Sequence, residues 1–298
     1  MRLKLRAPAK INLNLHITGR RADGYHLLDS LMQKVSLYDD LDLELCPDGI
    51  SLQCSGEPVP AGGENIAVRA AELFFAATAG RKGKYGNGVH ISLVKRIPVA
   101  AGLGGGSSNA AAILKGLNVL CGHPCSEDEL MALGLQLGAD VPFFLADTGT
   151  ARATGIGEIL HPAVSLGNFS VLLVNPGVPV STRWVYETFA LTARRKNDSI
   201  TDSQKDVSDV TGGCDAEGEF ALPAVLENDL EAITIARVPE VGLIKDGLLK
   251  GGAFKAMMTG SGPTVFGLFA DMDRLDDCYA LFRSQFVHTF IVAPVQGQ

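Results

Sequence analysis

From Ile97 to Leu114 the chain runs for 18 residues without a charged side chain, and this stretch constrains the fold more than any other. It is long enough to cross a bilayer, but it contains four glycines, two serines, an asparagine and a proline, which do not make a membrane helix. Pro98 to Ala112, PVAAGLGGGSSNAAA, instead predicts a strand-like approach, a glycine loop and a helix from about Ser107 to Leu120. Glycine accepts the positive φ that turns successive backbone N–H groups inward, and a helix N-terminus adds positive potential. Such a loop can close around an anion such as phosphate. Ser107 and Ser108 add hydroxyls for a phosphate oxygen or for Mg2+. Taken alone, the same run could serve only to pack a helix closely on a sheet.

Two familiar nucleotide loops do not fit. A Walker A loop needs Gly-Lys-Ser/Thr, and no lysine lies between Arg96 and Lys115; a dinucleotide loop starting at Gly102 and Gly104 needs a third glycine where Ser107 stands. A second glycine turn, Gly260-Ser261-Gly262-Pro263, falls between strand-like segments and alone reads as a hairpin. Near the N-terminus, APAKINLNL carries Lys10 as its lone charge. From Asn12 to Ile17 the apolar Leu13, Leu15 and Ile17 alternate with Asn12, Asn14 and His16, which predicts a strand with one polar face.

With 26 Lys and Arg against 33 Asp and Glu, the net charge of −7 argues against nucleic acid as a partner. At about 150 residues per domain, 298 residues suggest two domains. Arg2, Lys4, Arg6 and Lys10 interrupt every apolar stretch at the N-terminus, so the expected location is the cytoplasm, away from membranes. The six cysteines are expected to be reduced and mostly buried. Cys121, His123 and Cys125 lack the fourth ligand of a structural zinc site, and Gly-His-Pro reads as a helix-ending turn, so no metal site is assigned there.

Strands are expected over Leu31 to Leu37, Leu41 to Leu45, Ile50 to Cys54, Val89 to Val94, Thr150 to Ala153 and Ser170 to Val174. Ala256 to Met258, Thr264 to Ala270 and Phe290 to Ala293 add three more. Helices are expected over Asn65 to Ala79, from the Ser126 and Glu129 capping box to Gly138, and from Ser181 to about Ala193. Three more are expected over Leu222 to Ala236, Val241 to Leu249 and Asp271 to Gln285. Residues 194–219 are polar, lack apolar periodicity and predict a surface loop. The mixture predicts an α+β fold of two domains meeting at a catalytic cleft.

Lys10 in its strand opening, the loop Pro98 to Ala112 and MTGSGPTVFGLF (Met258 to Phe269) together resemble, in order, the three motifs of the GHMP family of small-molecule kinases. APAKINLNLHITGRRADGYHLLDSL (Ala7 to Leu31), LGADVPFFL (Leu137 to Leu145) and LENDLE (Leu226 to Glu231) extend the resemblance over nearly the whole chain. It implies an N-terminal ATP-binding and catalytic domain over 1–165 and a C-terminal domain over 166–298. It also implies transfer of the ATP γ-phosphoryl, with Mg2+, to the 2-hydroxyl of a methylerythritol unit carried on cytidine diphosphate. That reaction belongs to the mevalonate-independent route to isoprenoid precursors.

The resemblance further implies roles for single residues. Lys10 and Asp140 match the catalytic pair. The Asp140 carboxylate, expected to be buried before Val141 to Phe144, would take or orient the hydroxyl proton, and the Lys10 ammonium would stabilise the alkoxide and phosphoryl oxygens. ATP would be held by Pro98, Val99, Ala100, Ala101, Gly102, Leu103, Gly104, Gly105, Gly106, Ser107 and Ser108, with Asn65 near the adenine. Asn12 would reach the substrate near Lys10, while Tyr25, His26, Thr182 and Tyr186 would enclose its cytosine. A relative acting on homoserine, mevalonate or a sugar would have no base to stack there. A nucleotide-binding protein without catalysis would not need both Lys10 and Asp140.

Overall fold

The computed structural model describes residues 1–59, 64–81, 86–163, 167, 169–195 and 226–297. The chain opens with strands β1 (Arg2–Asn12), β2 (His16–Arg20), β3 (His26–Cys46) and β4 (Ile50–Gly56). Helix α1 (Ile66–Thr78) and strand β5 (Gly88–Lys95) lead to α2 (Gly105–Leu120), α3 (Glu127–Leu137) and the short α4 (Val141–Leu145). Strands β6 (Thr150–Thr154), β7 (Ile159–Pro162) and β8 (Ser170–Asn175) precede α5 (Thr182–Arg195), α6 (Glu231–Arg237) and α7 (Glu240–Lys250). The chain ends with β9 (Lys255–Met258), β10 (Val265–Phe269), α8 (Met272–Arg283) and β11 (His288–Val292). These elements form two compact units. Met1–Ala9, Leu37–Val99 and Gly104–Asp147 make the first, and Lys10–Ser36, Ala100–Leu103 and Thr148–Gln298 the second.

In the first unit, β3 from Asp40 to Cys46 pairs antiparallel with β5, which pairs parallel with β4. Alternation along β5 turns Val89, Ile91 and Leu93 into the core and His90 and Ser92 outward, as a period of two requires. Helix α2 approaches the strands at Gly116, where a Cβ would lie 2.5 Å from a Leu5 methyl and 2.6 Å from a Leu43 methyl. The capping signals read from sequence are in place. Asn65 Oδ1 accepts from Ala67 N at 2.9 Å, and Ser126 and Glu129 form the reciprocal box that starts α3. Cys121 to Cys125 closes α2, with Gly122 and His123 at positive φ and Asn118 bonded to both Cys125 N and Cys125 O.

The two apolar runs around Leu37 and Leu41 are one strand because the acid between them is inside. Asp39 is fully buried. It accepts from Lys95 Nζ at 2.6 Å, Asn109 Nδ2 at 2.9 Å, Arg96 N at 2.7 Å and Ile97 N at 2.9 Å. Lys95 Nζ also donates to Ile97 O at 2.6 Å. Burial pushes the Lys95 ammonium below its ordinary pKa, and Asp39 opposes that shift.

In the second unit, an antiparallel sheet in the order β11, β8, β10, β9 carries a core of Leu172, Val174, Val265 and Phe269. Leu248 of α7 and Leu275 and Phe282 of α8 belong to the same core. A hairpin joins β2 to β3, and β3 from Ser30 to Gln33 pairs with β6, which pairs with β7.

Several expectations are corrected. The strand expected from Asn12 to Ile17 is broken after Asn12, because Asn14 Oδ1 takes the Leu31 N–H at 2.5 Å and Leu15 bridges to Asn228. Of its polar residues, Asn12 and Asn14 are as buried as Leu13 and Leu15, and His16 is half-buried. Helix α2 starts at Gly105, two residues early. The helix expected from Leu222 begins, within the described residues, at Glu231, since Asn228 Oδ1 accepts from Leu230 N and fixes a turn ahead of it. Residues 194 and 195 belong to α5, and 196–219 lie outside the described residues. Asp39→Ala would strand a buried ammonium and should lower the unfolding free energy by roughly 3–5 kcal/mol, while Asp39→Leu with Lys95→Met should recover only part of it, because Asn109 Nδ2 and the Arg96 and Ile97 N–H groups still lose their acceptor. Urea unfolding measures both; an Asp39→Ala protein as stable as wild type contradicts this role for the pair.

Candidate active site

The N-terminus of α2 presents backbone donors that no side chain caps. Gly104, at φ 69°, caps the helix with no side-chain bond, so the first amides of α2 are not satisfied within the helix. Ser108 is 1% exposed, and its buried hydroxyl has no hydrogen-bond partner among the described residues. An uncapped helix start of 16 residues with an orphaned buried hydroxyl fits the phosphates of ATP. Gly105 cannot carry a side chain, since its Cβ would meet Lys95 Nζ and an Ile97 methyl at 2.8 Å each. Gly106 is exposed, and a Cβ there would lie 3.5 Å from Ile66, the residue after Asn65. Asn65 is thus beside this helix start, but its Oδ1 caps α1.

Asp140 stands at the start of α4 and is half-buried, less enclosed than the sequence suggested; Val141 to Leu145 behind it are fully buried. Its side chain makes no capping bond to α4. A Cβ on Gly138, two residues earlier, would lie 3.9 Å from Ser107 Oγ, so the α3–α4 junction that carries Asp140 adjoins the glycine loop.

Lys10 and Asn12 lie in the second unit. Lys10 is 4% exposed, and its Nζ donates to Asn12 Oδ1 at 2.6 Å. Its backbone N–H bonds Leu103 O at 2.9 Å, tying the β1 strand to the part of the loop formed by Ala100, Ala101, Gly102 and Leu103. Asn12 N donates to Thr259 Oγ1 at 2.9 Å. Gly102, at φ 77°, sits so close to this segment that any Cβ would overlap the Thr259 carbonyl. The second glycine turn is held from behind: Asn228 Nδ2 donates to Met258 O and Gly260 O at 2.8 Å each. Pro98 and Val99, by contrast, belong to the first unit.

An aromatic group lies elsewhere in the second unit. The His26 ring centroid is 5.4 Å from that of Tyr186, tilted by 35°, and 6.2 Å from that of Phe189, nearly perpendicular. Burial lowers the His26 pKa and Arg20 adds to the shift, so at pH 7 the imidazole is neutral, with one donor and one acceptor nitrogen. Tyr25 precedes it at the tip of the β2–β3 hairpin, 61% exposed, where Gly24 takes φ 94°. Thr182 Oγ1 is 2.8 Å from Ser261 Oγ, joining the start of α5 to the second glycine turn. His16 pairs with Asp229 at 3.6 Å, and this carboxylate raises its pKa.

Sequence reasoning passed over Thr259, Asn228, Phe189 and Ser30. Phe189 could have been found three residues after Tyr186 on one helix face. Asn228 stood inside a quoted motif without a role.

Residues 65–147 match the model of the GHMP kinases N terminal domain, and residues 218–288 that of the GHMP kinases C terminal domain. The chain belongs to the GHMP kinases, a family of ATP-dependent small-molecule phosphotransferases. It is 46% identical over 273 residues to the 4-diphosphocytidyl-2-C-methyl-D-erythritol kinase of Geobacter metallireducens, covering 91% of each chain. Against the enzyme of that name from Syntrophotalea carbinolica it is 47% identical over 268 residues, covering 90% of this chain and 89% of the relative. A crystal structure of 4-(cytidine 5'-diphospho)-2C-methyl-D-erythritol kinase matches with a TM-score of 0.75 at 33% identity, covering 99% of this chain and 100% of that one.

The two histidines should titrate on opposite sides of the ordinary value of 6.5, His26 below it and His16 above. The His16 pair then stabilises the fold fully below pH 6.5 and loses that contribution as pH rises through the raised value. For His26 the stabilising neutral state is complete above pH 6.5 and is lost as pH falls through the lowered value. A histidine NMR titration measures both, and a His26 midpoint at or above 6.5 contradicts the buried, neutral imidazole.

Proposed function

We propose that this chain transfers the γ-phosphoryl of ATP to the 2-hydroxyl of 4-diphosphocytidyl-2-C-methyl-D-erythritol, giving the 2-phosphate and ADP in the mevalonate-independent route to isoprenoid precursors. The observation that carries the reading is the His26 ring set beside Tyr186 and Phe189, in the same unit as Lys10 and Asn12. Aromatic faces stack on a base, and a neutral imidazole can pair its donor or its acceptor with the polar edge of cytosine. An acceptor without a base would leave these groups unused.

In the transfer, the acceptor oxygen attacks the γ-phosphorus, the bond to the ADP oxygen breaks, and the hydroxyl proton passes to Asp140. Lys10 stabilises the charge on the acceptor and phosphoryl oxygens, held in place by Asn12. The α2 amides and the Ser107 and Ser108 hydroxyls receive the ATP phosphates; Mg2+ bound to them would neutralise their charge, with Ser107 or Ser108 as its protein contact.

Asp140→Asn should keep ATP binding while kcat falls by roughly 10²- to 10⁴-fold. Tyr25→Ala should raise KM for the cytidine acceptor by about 5- to 100-fold and leave KM for ATP unchanged. Steady-state kinetics and ATP titration measure these. Wild-type turnover by Asp140→Asn would remove Asp140 from the mechanism, and an equal rise in both KM values would assign Tyr25 to the fold.

A further inference from the structure

Four polar side chains that no apolar core would choose lie together in the second unit: Lys10, Asn12, Asn14 and Ser30, each 4% exposed or less. Their hydrogen bonds run in one direction. Lys10 Nζ, which can only donate, bonds Asn12 Oδ1 at 2.6 Å. The Asn12 amide therefore turns its Nδ2 the other way, where it donates to Ser30 Oγ at 2.8 Å. Ser30 has one proton, and it goes to the Asn14 carbonyl at 2.6 Å, so its lone pairs are left to face Asn12. Asn14 is itself fixed, its Oδ1 accepting from Leu31 N at 2.5 Å. The relay thus ends on backbone at Asn14 and begins at the ammonium.

We infer that Ser30 is a positioning residue for Lys10, acting through Asn12; the catalytic half of this inference rests on the kinase reading above. The Ser30 hydroxyl is committed inside the protein, accepting from Asn12 Nδ2 and donating to the Asn14 carbonyl, so it acts on its neighbours and not on a substrate. Its effect is to keep the Asn12 amide the right way round. Without the hydroxyl, Asn12 Nδ2 would be a buried donor with nothing to receive it, and rotation of the amide would bring an N–H group toward the ammonium. Lys10 would then lose its bond to Asn12 Oδ1 and the position that bond fixes.

Ser30→Thr and Ser30→Val are nearly the same shape and differ in the hydroxyl, so comparing them separates the relay from packing. In the full-length protein, the Asn12 side-chain amide protons should exchange with solvent at least about tenfold faster in Ser30→Val than in Ser30→Thr. With ATP and the cytidine acceptor, kcat of Ser30→Val should fall roughly 10- to 100-fold and that of Ser30→Thr should stay near wild type, with little change in either KM. On an Asn12→Ala background, the further loss from Ser30→Val should be less than about threefold. Equal exchange in the two variants, equal kcat, or an undiminished loss on the Asn12→Ala background would each overturn the inference. A wild-type enzyme that ignores the cytidine acceptor would sink the kinase reading, and the exchange comparison would still decide whether the relay exists.

Discussion

The buried Asp39 carboxylate holds both flanks of the glycine loop. On the approach side it receives Arg96 N and Ile97 N, and through Lys95 it reaches Ile97 O. On the far side it receives Asn109, in the first turns of α2. Between these anchors, Pro98 to Ser108 has no charge of its own and three residues at positive φ: Ala100, Gly102 and Gly104. A segment of that composition has little of its own to hold it in one conformation, so its order comes from the anchored ends and from the contacts that Ala101 to Leu103 make with Lys10, Thr259 and Thr264. A fully satisfied buried charge provides that order at the risk of severe destabilisation if one partner is lost.

The second unit meets the same demand with neutral groups. Asn12, Ser30, Thr259 and Asn228 fix Lys10 and the second glycine turn through hydrogen-bonded amides and hydroxyls. Close backbone approach does the remainder. Gly102 lies against the Thr259 carbonyl at a distance no side chain would allow. Both arrangements place a cation among groups that cannot move far, the condition under which charge stabilisation in phosphoryl transfer costs no reorganisation.

Much of this was legible in the residues themselves. Asn65, Ser126 with Glu129, and Asp271 announce their helices because capping is a local matter of one side chain and the next three amides. The glycine run announced the turn and helix start at Gly104 and Gly105 for the same reason. What stayed hidden depends on distant partners. Asp39 interrupts an apolar pattern and reads as a strand end, yet Lys95, 56 positions away, makes its burial possible. Asn14 reads as one residue of a strand's polar face, and its bond to the distant Leu31 N, which breaks that strand, is not visible in the alternation. Local spacing does not reveal that His26 meets Tyr186, 160 residues later; the family resemblance had already grouped those two, and Phe189 beside them was missed. The resemblance to the GHMP kinases supplied roles for residues whose neighbours the sequence could not name.

The most direct test follows ADP release from Mg·ATP with the purified protein and four acceptors in parallel: 4-diphosphocytidyl-2-C-methyl-D-erythritol, homoserine, mevalonate and galactose. The account predicts release with the cytidine compound alone. Release with homoserine, mevalonate or galactose in its place would contradict the base-binding role given to Tyr25, His26 and Tyr186.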